Sequence, residues 1–171
     1  MSEMIEVVID SVRVSLTNQQ RIVVLRELGE ERYLLIWIGP YEAEAITIAL
    51  QEIEVARPQT HDLLKNFLTA FDAQLVRVEV ISLNDDVFYG NLVIEVNDKT
   101  INIDTRPSDA LALSVRTNVP IMVSREVMES ASIIPEQDLE SSESGEMTAG
   151  EKSKAGSPPD EESEERLSVF E

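Results

Sequence analysis

Displaced by 67 residues, the chain overlays itself. GEERYLLIWIGPYEAEAITI falls on VNDKTINIDTRPSDALALSV without a gap, so that Gly39-Pro40 meets Arg106-Pro107, Glu42 meets Asp109, Ala43 meets Ala110 and Ile46 meets Leu113. Each half then reads as three antiparallel strands followed by a helix. One such unit leaves an apolar sheet face bare, and two of them packed face to face close a core. The expected fold is α+β: duplicated β-β-β-α units, with a mainly antiparallel sheet packed by helices.

Local pattern supports those elements. Ile5, Val7 and Ile9 share one strand face before the apolar set switches to Val12, Val14 and Leu16. A β-bulge near Asp10-Ser11 produces such a change of phase. RIVVLREL and YLLIWI flank GEER as a hairpin. Pro40 suits a first helical position and Glu42 the positive end of a helix dipole. A second helix is expected from THDLLKNFLTAFD, capped by Thr60, with Leu63, Leu64, Phe67, Leu68 and Phe71 at helical spacing. LVRVEVISL, VFYGNLVIEV and TINIDT follow as strands joined by the polar turns NDD and NDK. Next come the helix opening at RPSD, a short strand at PIMV and a brief helix from Ser124.

Composition changes at Pro135. The remainder, rich in Glu, Ser, Gly and Pro, has too little apolar surface to offset the entropy of ordering. Residues 1–135 are therefore read as the folded domain and 136–171 as a disordered acidic tail, with Arg166–Glu171 as a slightly apolar end. The net charge of −19 divides evenly: 12 acidic and 3 basic residues in the tail leave −9 there and −10 in the domain. A broad cationic footprint for polyanions is missing, so anything done to nucleic acid must be done at a local site. With no cysteine, disulfides and thiolate metal sites are excluded. The first residues lack a basic stretch followed by a long apolar run, so no secretory leader is expected. Nor is there an apolar run of bilayer-spanning length. The expected setting is the cytoplasm, with no membrane partner.

Chemistry-bearing residues cluster at helix mouths. His61 is the one histidine, the side chain best suited to carry a proton at neutral pH. Arg57, His61 and Asp62 lie within six residues around a helix start, where backbone N–H groups favour anions. Glu42 and Asp109 each occupy a first helical turn, and Arg106 stands beside Asp109. Two readings stay open. The carboxylates stabilise helix dipoles, with Arg106 as their ionic partner; or the groups converge on a phosphodiester, the arginine gripping phosphate and the carboxylates holding Mg²⁺ or Mn²⁺. Gly-rich phosphate loops, HExxH and GxSxG are all missing.

WIGPYEAEAI, RPQTHDLL, VFYGNLVIEV and above all RPSDALALSVRTNVPIMVS resemble the bifunctional nuclease domain family. The resemblance implies RNase and DNase activity, a compact α+β fold and a homodimer, for which exposed hairpin edges also offer a seam. Carried over, its polar motif positions are Glu42, Arg57, His61, Asp62, Arg106, Ser108 and Asp109. The resulting expectation is a metal-assisted nuclease. Arg57, Arg106 and Ser108 would bind substrate, Asp109 and Glu42 would hold metal or water, and His61, oriented by Asp62, would transfer a proton. Its rival is a non-catalytic dimeric interaction module whose polar cluster is a structural salt-bridge network. The acidity of the domain favours that rival.

Overall fold

A computed structural model describes residues 3–15 and 19–135. Leu16 and the acidic segment 136–171 lie outside the described residues. In chain order the elements are β1 (Met4–Val14), β2 (Arg21–Glu27), β3 (Tyr33–Ile38), α1 (Pro40–Leu50), α2 (Thr60–Ala70), β4 (Gln74–Asn84), β5 (Val87–Val96), β6 (Lys99–Thr105), α3 (Pro107–Thr117), β7 (Ile121–Ser124), α4 (Arg125–Ala131) and β8 (Ser132–Ile133).

The fold is α+β, with one eight-stranded sheet in the order β6-β5-β4-β7-β1-β2-β3-β8. All its pairings are antiparallel except β4 with β7. The β1–β2 register slips between Ile9 and Ser11, where the apolar set changes phase. Asp85-Asp86 and Asn97-Asp98 hold positive φ at the β4–β5 and β5–β6 turns, the conformation that matches two-residue hairpins to strand twist.

Two expectations need correcting. The β-β-β-α halves do not stack face to face: β1–β3 and β4–β6 lie side by side in the same sheet, with β7 inserted between them. And α2 begins one residue earlier than Thr60 as cap would give. Gln59 is the N-cap, Thr60 the first helical residue, and the Gln59 N–H donates to Asp62 Oδ2 at 2.8 Å.

A single core runs through Val7, Val23, Leu25, Leu34, Val78, Val80 and Val123 of the sheet, with Ile46 of α1, Leu111 and Leu113 of α3 and Met128 of α4. α3 lies at its centre, buried at Pro107, Ser108 and every position from Ala110 to Ser114. Its alanines let α1, α2 and the sheet approach closely. Burying Leu111 and Leu113 contributes about 1.5–3 kcal/mol each. α2 is different. The helix forms where its spacing predicts, but Leu63, Leu64, Phe67 and Phe71 face solvent, and its buried residue is His61. No helix among the described residues is long and apolar enough to cross a membrane.

Candidate active site

α1 and α3 begin alike. Each has proline in its opening turn and an extended N-cap residue, Gly39 or Arg106, that makes no side-chain cap. Their first-turn carboxylates, Glu42 and Asp109, are therefore left free to bond elsewhere, and both turn to Arg106. Its Nε and Nη2 donate to Asp109 Oδ2 and Oδ1 at 2.8 and 3.2 Å. Nη2 also meets Glu42 Oε1 at 2.9 Å. A guanidinium carries five N–H donors, so Nη1 keeps its own two unused among the described residues. The Arg106 side chain is 65% exposed, anchored at one edge and open to water at the other.

His61 completes the group from α2. Its Nε2 lies 3.0 Å from Asp109 Oδ1 while the residue is only 6% exposed. A carboxylate partner requires Nε2 to carry the proton, which leaves Nδ1 of the neutral ring as an acceptor. These side chains line a cleft of about 630 Å³ together with Tyr41, Ala45 and Pro58. Burial pushes the Asp109 carboxyl up, but hydrogen bonds from Arg106 and His61 outweigh it and hold that carboxyl below the usual range. Asp109 in turn raises Arg106, helped by Glu42. The group is a fixed cation flanked by two anions, with an imidazole tied to one of them.

The structure thus brings together Glu42, His61, Arg106 and Asp109. Asp62 is turned elsewhere: it accepts from the Gln59 N–H and from Arg116 Nε at 2.7 Å. Burial raises its carboxyl, and those two donors more than reverse the effect. His61 is held by Asp109 rather than by its sequence neighbour. Ser108 is buried and lines a separate cleft with Gly39, Trp37 and Phe88. Arg57 is exposed and makes no ion pair or hydrogen bond among the described residues, though the next residue, Pro58, lines the main cleft.

Glu42 and Asp109 are joined through the Arg106 guanidinium, which fills the position a bridging cation would need. Among the described residues, no three His, Asp or Glu side chains are placed to hold a metal ion. In this arrangement Arg106, rather than a metal ion, is the cation that both carboxylates meet.

Two supporting residues escape a reading of the sequence. Arg116 ends the apolar run of α3, and its side chain is 6% exposed. Besides Asp62 it donates to the carbonyls of Ala45 and Ala112 at 3.0 and 2.8 Å, tying α1, α2 and α3 into one unit. Gly90 pairs with Thr105 at the strand end that feeds Arg106. A Cβ there would lie 2.8 Å from the Thr105 carbonyl and 3.1 Å from Pro107 N. The signal was a lone glycine inside VFYGNLVIEV, which marks close backbone approach. For Arg116 the only hint was a charge on an otherwise buried helix.

Residues 23–136 match the bifunctional nuclease domain. An uncharacterized protein of Mycobacterium tuberculosis (strain H37Rv) is 38% identical over 136 residues, 79% of this chain and 81% of its own. Bifunctional nuclease 1 of Oryza sativa subsp. japonica is 27% identical over 109 residues, 62% of this chain but 33% of the rice protein. Bifunctional nuclease 2 of Arabidopsis thaliana is 27% identical over 107 residues, 61% of this chain and 32% of its own. The chain therefore spans about a third of these plant relatives.

Proposed function

The chain belongs to the bifunctional nuclease domain family, and from that premise we propose that it hydrolyses phosphodiester bonds of RNA or DNA in the cleft between α1, α2 and α3. The observation that carries this reading is the shared use of Asp109 by Arg106 and His61 at the mouth of a solvent-reachable cleft. Asp109 and Glu42 hold the guanidinium in place, and its free Nη1 edge receives a phosphate oxygen. Asp109 also fixes the imidazole so that Nδ1 accepts a proton.

In the proposed step, Nδ1 of His61 takes a proton from water as the water oxygen attacks phosphorus. The P–O bond to the leaving nucleoside breaks, and the imidazolium returns the proton to the departing oxygen. Arg106 stabilises the charge that builds on the phosphoryl oxygens. Asp62 acts one step back, closing the α2 cap and holding Arg116. A cytoplasmic setting goes with this substrate.

Purified protein is expected to cleave single-stranded RNA or DNA oligonucleotides, with His61→Ala reducing the rate by about 10²–10⁴. The assay is run with Mg²⁺, with Mn²⁺ and with EDTA. Cleavage surviving EDTA supports the protein-only chemistry; cleavage lost with EDTA supports metal assistance, with Arg106 swung away from the carboxylates. No cleavage under any of these conditions would reject the nuclease reading.

We also propose that two copies associate through α2. Leu63, Leu64, Phe67 and Phe71 leave an apolar face in water, with the Phe67 and Phe71 rings stacked at 6.0 Å. An uncharged patch can meet its own copy across a two-fold axis without the like-charge repulsion that the rest of this acidic surface would impose.

A further inference from the structure

Tyr41, the second residue of α1, is 81% exposed, more than any other large apolar side chain among the described residues. Its side chain makes no ring contact or hydrogen bond with them. It therefore contributes nothing visible to the core, yet it stands beside Glu42 on a rigid first turn. It forms one wall of the cleft that holds Arg106 and His61. It also walls a second groove, of about 580 Å³, that runs past Val12 and Ile48 and holds Arg21. Arg21 donates from Nη1 to the Gln19 carbonyl and uses no other guanidinium donor among the described residues.

Tyr41 is thus an aromatic ridge between two grooves, each with one arginine. We propose that Tyr41 stacks a base of single-stranded nucleic acid whose neighbouring phosphates rest on Arg106 and Arg21, so that unpaired strands are selected over duplex; this rests on the phosphodiester reading of the cleft. A base inside a duplex has both faces covered by its neighbours. Only an unstacked base offers a free face to a tyrosine. The surroundings make this contact the larger share of affinity, because Glu42 and Glu44 on the same walls oppose simple phosphate attraction.

The test is binding of the full-length protein to three labelled, cleavage-resistant phosphorothioate probes: a single-stranded oligonucleotide, its abasic counterpart and the matching duplex. The wild type is expected to bind the single strand about ten- to hundredfold more tightly than the abasic strand or the duplex. Tyr41→Ala should erase that difference, and Tyr41→Phe should restore it. Arg21→Ala should weaken binding to single strand and abasic strand alike and reduce the salt slope by about one. A wild type that does not distinguish the probes, or a Tyr41→Ala variant that still does, would overturn the proposal. Cleavage of ordinary oligonucleotides is scored separately. The binding pattern without cleavage leaves stacking standing and removes the nuclease reading; cleavage without dependence on Tyr41 does the reverse. Neither binding nor cleavage removes both.

Discussion

Asp109 is asked to do three things: begin a helix, hold a guanidinium and orient an imidazole. Its neighbours keep its carboxyl ionised below the usual range despite partial burial, and that has a consequence for stability. In the unfolded chain an aspartate gains its proton near ~3.9. In the fold it gains it lower, so the stabilising share of Asp109 is fully present above that value. It is lost as pH falls through the native value. The expected outcome is a gap in urea midpoint between wild type and Asp109→Asn that is constant from about pH 7 to pH 5 and closes below about pH 4. Urea titrations across that range check it, and a gap that widened with acid would mean that Asp109 is not held as an anion.

Partnership at this scale was only half readable. The sequence places Arg106 three residues before Asp109, and a contact across one helical turn follows from that spacing. It also places Asp62 next to His61, and there adjacency misleads. Successive residues on a helix point about 100° apart, so Asp62 turns to Arg116 while His61 turns to a carboxylate 48 residues away.

At the scale of elements, the longer strands and helices follow their periodicity closely, because each repeats its pattern over six or more residues. Periodicity says which side chains share a face and nothing about what covers it. Hence α2 forms as the spacing predicts, while Leu63, Leu64, Phe67 and Phe71 stay in water. The join between β6 and α3 was equally hidden, since it depends on Gly90 of the neighbouring strand. Gly90→Ala would press a methyl group against the backbone at Thr105, Arg106 and Pro107, and backbone cannot step aside as a flexible side chain can. The expected cost is about 1–3 kcal/mol, with cleavage falling further than the unfolded fraction accounts for, because Arg106 moves. Thermal unfolding and kcat/KM measured on the same preparation check both parts. An alanine variant with unchanged activity would detach the strand join from the site.

For the molecule as a whole, the repeat suggested two β-β-β-α units and said nothing of how they would be arranged. β1–β3 and β4–β6 sit either side of β7, a short strand that follows α3 and pairs with β1 and β4. A repeat compares positions along the chain, and nothing in it registers a strand inserted between the copies. Side-by-side placement still brings the two helix mouths together, because α1 and α3 pack on each other over the same sheet. Association through α2 belongs to this scale too. Phe67→Glu should shift the mass measured by light scattering from two chains to one while the single chain stays folded, because Phe67 faces water on one copy alone. A wild type that already runs as one chain would reject it.

The acidity of the domain leaves a structural salt-bridge network as the serious alternative to a catalytic cleft, and Asp109 is where the two accounts part. The decisive measurement is cleavage and urea unfolding recorded together for Asp109→Asn. The catalytic account predicts a protein that still folds, with a rate at least a hundredfold below wild type. A folded variant that cleaves at the wild-type rate, or one that fails to fold at all, would contradict it.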